Sequence, residues 1–444
     1  MTVPFAAVRF RASDVAAATR GRLVGEDTEV TGAAFDTRTL RPGELFVPLV
    51  AARDGHDFIP DAVAAGAAAY LTSRPAVAAG IPAIEVADTG DALLALAGWA
   101  RSRLAGVQVV GVTGSVGKTS TKDLIAAGLG VERRVTANDR SFNNEQGLPV
   151  TILGAAADTE VLVLEMGMRG IGEIARLAAV ARPGTGVVTG VAPAHTERVG
   201  GIEGVARAKG ELVDALPADG TAVLNADDER VAAMARRTAA TVVSFGWSPA
   251  ADVRISDLQL DSRARPRFAV HTPWGDVEVA LSMSGSHMAA NAAAALAVAG
   301  ILGVDVAAAA AALGSARLSA MRMQLVEAAG GGVVINDAYN ANPTSMRAAL
   351  DTLARVDARR RIAVLGLMAE LDDPAGAHRE IAEHARQLGV ELVAVGTDQY
   401  GAAVVAPERV VEVVGPVEPG IAVLVKASRA AQLERVAEAL IGAR

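Results

Sequence analysis

The sequence predicts an α/β protein in three units, and three observations predict it. Short Val/Leu runs alternate with helical stretches through two separate regions, as buried parallel strands and their crossovers do. A Gly/Ser-rich loop joins one of these runs to a helix. A length of 444 residues suits about two to four domains at ~150 residues each. The units divide at residues 1–98, 99–316 and 317–444.

Taken in order, the first unit mixes short strands with Gly/Pro turns, at Gly32–Arg38 and Arg41–Leu49. An Ala-rich helix follows over Asp61–Ala69, then a connecting helix over Leu93–Leu104. The second unit opens with Val107-Gln-Val-Val-Gly-Val112, a buried strand, and after the loop comes a helix over Lys118–Gly130. Val161–Glu165, Thr185–Val191 and Thr221–Asn225 add parallel strands, while residues 250–283 alternate as antiparallel ones. Met288–Leu313 is almost wholly apolar, but its alanines and the break at Gly303-Val-Asp305 predict two buried helices, not a membrane span. The third unit repeats the alternation with strands at Val333–Ile335, Arg361–Leu365, Leu392–Val395 and Ile421–Val425. Two such α/β units after a separate first one place a nucleotide between domains, at strand carboxyl ends.

Composition excludes several functions. Hydrophobic residues at 51% suffice for buried cores, and 3% aromatics leave Ala, Val and Leu to fill them. The formal net charge of -8 argues against a nucleic-acid partner, whose footprint would be basic. Without cysteine there is no disulfide frame, Cys metal site or thiol nucleophile. Met1–Arg11 lacks the continuous apolar core of a signal peptide, so a cytoplasmic protein acting on small molecules as a monomer is expected.

Chemistry concentrates at strand ends. Gly114-Ser-Val-Gly-Lys-Thr-Ser120 points backbone N–H groups into one concavity at the positive end of a helix, a phosphate cradle. Lys118 offers a mobile charge to outer phosphates, and the Thr119 hydroxyl can ligate Mg²⁺. Against the general pattern G-x-x-x-x-G-K-[ST], Val112 stands at the first glycine, with Gly111 one residue early. Glu165 ends a strand beside this loop, well placed to hold Mg²⁺, and His195 follows a third strand end. Lys209 sits in a helical stretch whose spacing alone reads as a solvated face, and Asn143-Asn144 alone reads as a polar turn. Asn336-Asp-Ala-Tyr-Asn-Ala-Asn-Pro-Thr-Ser345 packs donors and acceptors that no core accommodates; helix capping explains Thr344 or Ser345, and a ligand-facing loop explains the rest.

Along nearly the whole chain these segments resemble the Mur ligase family, and within it the F type. The resemblance rests on Thr113-Gly-Ser-Val-Gly-Lys-Thr-Ser-Thr121, Asn143-Asn144-x-x-Gly147-x-Pro149 and Glu165-Met-Gly167. Ala194-His195-x-Glu197, Ala208-Lys209-Gly-Glu211, Gly285-Ser-His287-x-x-x-Asn291, Arg322 and Asp337-x-Tyr-Asn-Ala-Asn-Pro343 complete it. Asp36-Thr-Arg38 and Asp54-Gly-His-Asp-Phe58 resemble the uridine-diphosphate domain of the E and F types. The resemblance implies an N-terminal UDP-substrate domain, a central P-loop ATPase-like domain and a C-terminal Rossmann-like domain.

It implies ATP-dependent joining of D-alanyl-D-alanine to UDP-N-acetylmuramoyl-tripeptide through an acyl phosphate, for peptidoglycan synthesis. Gly114 to Ser120, Asn291, Arg322, Asp337, Tyr339 and Asn340 would bind ATP. Asp36, Thr37, Arg38, His56, Asp57, Asn143 and Asn144 would bind the UDP substrate, and Asn342 would meet D-alanyl-D-alanine. Thr119 and Glu165 would hold one Mg²⁺; His195 and a carbamylated Lys209 would serve a second metal, with Lys118, Lys209 and His195 catalytic. Gly190, Ala192, Met288, Leu367 and Ala427 depart from the family's usual residues. Two other readings stand beside this one: a Mur-like ligase with a different acceptor, and a silent nucleotide-binding scaffold.

Overall fold

The computed structural model describes residues 9–139, 142–193 and 199–443, and the counts below are of these residues. In the first unit lie β1 (Arg9–Arg11), α1 (Ala12–Thr19), β2 (Arg22–Val24), β3 (Glu29–Thr31), β4 (Ala33–Ala34) and β5 (Leu45–Phe46). They are followed by α2 (Ile59–Ala64), β6 (Ala69–Thr72), β7 (Ala83–Glu85) and α3 (Thr89–Arg103). β1 and β3 form an antiparallel ribbon; the other five strands form a sheet of order β2-β7-β6-β5-β4, antiparallel only at β2–β7. The helix expected over Asp61–Ala69 ends at Ala64, a correction with a local cause. Gly66 turns the chain at φ +92°, and Ala69 then opens the fully buried β6. Burial in a sheet overrides alanine's helical preference.

The second unit holds β8 (Gln108–Thr113), α4 (Lys118–Leu129), β9 (Val135–Ala137), α5 (Gly147–Leu153), β10 (Val161–Glu165) and α6 (Glu173–Ala181). Next come β11 (Thr185–Val188), α7 (Gly201–Asp214), β12 (Thr221–Asn225), α8 (Glu229–Ala233) and β13 (Thr241–Gly246). β14 (Val253–Leu260), β15 (Pro266–His271), β16 (Val277–Ala280), α9 (Met288–Ile301) and α10 (Val306–Leu313) complete it. The sheet runs β16-β15-β14-β13-β12-β11-β8-β10-β9, parallel from β14 to β9 and antiparallel over β14–β16. β8 lies between β11 and β10, where the strand order reverses, so its carboxyl end opens a crevice. α9, more than half alanine and mostly buried, packs on α4 and across β12 to β14; small side chains permit that close approach. Asp305 caps α10 by accepting from Ala307 N, as the break at Gly303–Asp305 predicts. Strand β11 stops at Val188, short of the expected Val191, because Thr189 Oγ1 turns to donate to Val116 O and Val191 N to Asp228 Oδ2.

The third unit contains β17 (Gln324–Glu327), β18 (Val333–Asn336), α11 (Pro343–Arg355), β19 (Arg360–Leu365), α12 (Pro374–Gln387) and β20 (Glu391–Val395). β21 (Val404–Val405), α13 (Val410–Val414), β22 (Ile421–Lys426) and α14 (Glu434–Gly442) follow. Its sheet order is β17-β18-β22-β19-β20-β21, parallel except at β17–β18. The architecture is α/β throughout, with mostly parallel sheets. α3 ties the first unit to the second: it packs on α5 and α6, and Arg101 donates to Ala181 O and Val107 O. Among the described residues no helix is long and apolar enough to cross a membrane.

Candidate active site

The carboxyl ends of β8, β10, β11, β12 and β13 face the ends of β18, β19 and β22 across a cleft of about 1020 Å³. On the β8 side the loop Gly114–Gly117 is tight because its glycines allow it. Gly114 stands at φ +149°, where a Cβ would fall 1.9 Å from Thr189 Oγ1. Gly117 stands at φ +79°, where a Cβ would fall 2.6 Å from Asn291 Oδ1. Ser115 is fixed from both ends, its N–H donating to Gly190 O and its hydroxyl to Ala192 O. Val116 and Ser120 also line the cleft. Lys118 opens α4, and its Nζ donates to Gly114 O at 2.7 Å.

Glu165 is the hub of the wall. It is buried, and its Oε2 accepts from Thr119 Oγ1 at 2.8 Å while Oε1 accepts from Asn143 Nδ2 at 2.7 Å. Asn138 holds its backbone on both sides, accepting from Glu165 N and donating to Glu165 O. Asn143 is therefore more than a turn residue, whereas Asn144 Oδ1 accepts from Gly147 N and tethers the start of α5. Arg322 Nη2 reaches Thr119 Oγ1 at 3.2 Å, bringing the third unit's entrance onto the phosphate loop. Asn291 is buried at the start of α9 and accepts from Thr121 Oγ1.

Lys209 corrects an expectation. It is 3% exposed on α7, lining the cleft, not on a solvated face. The stripe Val205, Ala208, Leu212 and Val213 buries that face, and Lys209 lies within it. Loss of water drives its pKa well below 10.5, and the Lys118 charge drives it further down against the pull of Glu165. Burial also lowers Lys118, with Glu165 opposing. His195 lies outside the described residues. Among those described, no cluster of three His, Cys, Asp or Glu side chains is positioned to hold a metal ion.

On the opposite wall Asp337 is buried, with Oδ2 accepting from Lys426 Nζ at 2.5 Å and Oδ1 from Met323 N at 3.1 Å. Lys426 also donates to Asn340 O at 2.8 Å. Tyr339 carries the Arg322 guanidinium over its ring at 4.2 Å. Asn342 lines the cleft but is the N-cap of α11, in a reciprocal pair with Ser345. Capping thus takes Asn342, where the sequence had pointed to Thr344 or Ser345. Of the departures, Gly190 has room for a side chain, with a Cβ 3.7 Å from Asp228 Oδ2, and Ala427 packs against Gly366.

The cleft does not include Asp36, Thr37, Arg38, His56 or Asp57. Asp36 and Arg38 pair with each other at 2.5 Å, which holds the Asp36 carboxyl below its usual range. His56 is buried with both nitrogens engaged: Nδ1 donates to Asp54 at 2.6 Å, and Nε2 accepts from Ser73 N at 3.1 Å. The turn nevertheless approaches the cleft's mouth, since the Phe35 ring meets Phe142, next to Asn143, at 5.9 Å. Sequence reasoning overlooked Lys426, Asn225 and Trp247, which all line the cleft. Their position just past apolar strands is the signal that had singled out Glu165.

Comparison with known proteins extends this geometry. Residues 112–299 match the Mur ligase middle domain, and residues 321–442 match the family described as Mur ligase, glutamate ligase domain. A UDP-N-acetylmuramoyl-tripeptide--D-alanyl-D-alanine ligase of Mycobacterium tuberculosis is 42% identical, over 93% of this chain and 92% of its own length. One of Escherichia coli is 35% identical, over 95% and 96%. A crystal structure of MurF from Acinetobacter baumannii superposes with a TM-score of 0.88 at 28% identity, covering 98% of this chain and 99% of that one. MurF ligase from Thermotoga maritima in complex with ADP gives 0.81 at 29% identity, covering 93% and 97%.

Proposed function

The chain belongs to the Mur ligase family, and from that membership and its cleft we infer that it joins D-alanyl-D-alanine to UDP-N-acetylmuramoyl-tripeptide, with ATP cleaved to ADP and phosphate. It is an amide-forming ligase of peptidoglycan precursor synthesis. The observation that carries this reading is one cleft in which a phosphate loop and Glu165 face the third unit's Asp337–Asn342 loop. A kinase or switch needs only the first wall; a ligase needs both.

In the first step a carboxylate oxygen of the tripeptide attacks the γ-phosphorus and ADP leaves, giving an acyl phosphate. The free amine of the dipeptide then attacks the acyl carbon, and the tetrahedral intermediate expels phosphate and leaves the amide. Both partners of the first step are anions, so cationic groups and N–H dipoles must converge where they meet. Lys118 and the loop amides hold the β- and γ-phosphates; Asn291, Arg322, Asp337, Tyr339 and Asn340 position the nucleotide. Burial of the cleft between units keeps water from the acyl phosphate.

Thr119 and Glu165 offer hard oxygens 2.8 Å apart, a donor set that fits Mg²⁺. Mg²⁺ bound there would neutralise phosphate charge. Lys209 is a buried amine whose pKa is pushed down, the state in which an amine adds CO₂ and releases a proton to become a carbamate. The carbamate, with His195, would serve a second metal. We assign UDP recognition to residues 1–98 with Asn143 and Asn144, ATP to 99–316, and the acceptor to 317–444, including Asn342. The enzyme works as a cytoplasmic monomer on this reading.

Phosphate release with UDP-muramoyl-tripeptide and ATP tests it. Release that requires D-alanyl-D-alanine is expected. Release only with another amine would replace the acceptor, and none with any amine would leave a nucleotide-binding scaffold.

A further inference from the structure

The cleft has two ends, the phosphate loop at one and the end of β13 at the other. Three strand steps separate β8 from β13 in the order β13-β12-β11-β8, an offset of about 14 Å at ~4.8 Å per strand. At the far end Trp247 follows β13, lines the cleft and leaves 39% of its surface exposed. A tryptophan at a cavity wall with that much apolar surface in water is placed for a partner.

Its exposure does not come from a slack loop. Asp227 accepts from Trp247 N at 2.8 Å and from Ser248 N at 2.8 Å, and Asp227 N in turn donates to Asn225 Oδ1. Gly246 lies at φ +144°, where a Cβ would fall 2.4 Å from Asp227 Oδ2, so the chain can pass this carboxylate only as glycine. The turn is braced to present the indole.

The other groups at this end are already engaged. Asn225 Nδ2 donates to Thr189 O, and Thr189 Oγ1 donates to Val116 O. Of the cleft's other aromatic faces, Tyr339 carries Arg322 at 4.2 Å. Among the described residues no ring or guanidinium stacks on Trp247. A free, rigid aromatic plane remains, on the same sheet edge as the phosphate loop.

We propose that Trp247 is the platform on which the adenine base of ATP stacks, an inference that rests on the ATP-dependent ligase reading above. The triphosphate lies in the Gly114–Gly117 loop, and the nucleoside extends past Asn291 toward β13. Specificity at this end then comes from the base's π-face, not from hydrogen bonds to its edge.

The test has two parts. Trp247→Ala should raise the KM for ATP about tenfold and move that for D-alanyl-D-alanine less than about twofold, with Trp247→Phe restoring most of the loss. In a protein keeping only Trp247, made with Trp99→Phe and Trp274→Phe, ADP should quench the indole emission and inorganic tripolyphosphate should not. Unchanged KM for ATP in Trp247→Ala, or equal quenching by tripolyphosphate and ADP, overturns the platform. Should the double replacement fail to fold, the KM comparison still decides. If the unmodified protein ligates but Trp247→Ala behaves like it, this inference alone fails; if the unmodified protein does not ligate with ATP, the ligase reading fails.

Discussion

Lys209 is the residue on which the proposed chemistry of the cleft turns. For a lysine 3% exposed on a helix stripe, loss of water and the Lys118 charge disfavour the ammonium more than Glu165 supports it. Its lowered pKa favours the neutral amine, the form from which the proposed carbamate would arise. Lys209→Ala should abolish ligation, and added short carboxylic acids should restore part of it by supplying the missing anion. Phosphate release checks this, and an active variant indifferent to the acids would remove the carbamate. Spacing alone had put Lys209 on a solvated face, although Val205, Ala208, Leu212 and Val213 place it within the apolar stripe. A charged residue in a stripe is legible as buried only when the stripe is counted first. Glu165 was legible because a carboxylate ending an all-apolar strand has nowhere else to go. His56 has a structural part that the sequence did not show, since its hydrogen bonds to Asp54 and Ser73 brace the first unit.

Among the elements, the loop between β19 and α12 shows how a strand end is aimed. His378 is fully buried; Nδ1 donates to Pro374 O at 2.5 Å and Nε2 accepts from Met368 N at 2.9 Å. Tyr400 packs edge-on against it and donates to Gly366 O at 2.7 Å. Ser428 Oγ accepts from Ala369 N, and Ala369 and Glu370 beyond it line the cleft. Glu370 takes φ +63°, a conformation that costs a non-glycine residue about 1–3 kcal/mol and persists only where its surroundings enforce it. His378→Ala removes the brace and should destabilise the protein by about 2–4 kcal/mol, read by denaturant unfolding. Burial lowers the His378 pKa, so its unfolded form takes up a proton first as pH falls. Stability from this group is therefore present above the ordinary histidine value of about 6.5 and lost as pH falls below it toward the depressed folded value. Unfolding midpoints from pH 7.5 to 5.5 should fall less steeply in His378→Asn; an unchanged slope would show that other groups carry the effect. None of this was visible in the sequence, where His378 is one polar residue in an amphipathic helix. The parallel strands were visible, because burial on both faces writes itself as unbroken Val/Leu runs.

For the whole molecule, the order of the three units predicts the order of ligands. The first unit meets the second next to the cleft, where the Phe35 ring packs on Phe142, and α3 fixes it to α5 and α6. Recognition there should be separable from ATP binding. Arg38→Ala should raise the KM for the UDP substrate about tenfold and leave that for ATP near its original value. Equal changes in both, measured in the same phosphate-release assay, would mean that the first unit is not the uridine site. The three-unit plan was legible from patterning, since alternation restarts after each break in periodicity. Which residues meet was not, because Arg322 on Thr119 joins two units and Lys426 on Asp337 joins segments far apart within the third. The central claim is that the γ-phosphoryl group of ATP passes to a carboxylate, with ADP leaving, before the amine attacks, and the oxygen in the released phosphate tests it most directly. With ¹⁸O in the tripeptide's terminal carboxylate, each turnover should deliver one ¹⁸O to inorganic phosphate in the presence of D-alanyl-D-alanine. Phosphate released without the label, alongside a new peptide bond, would contradict an acyl phosphate.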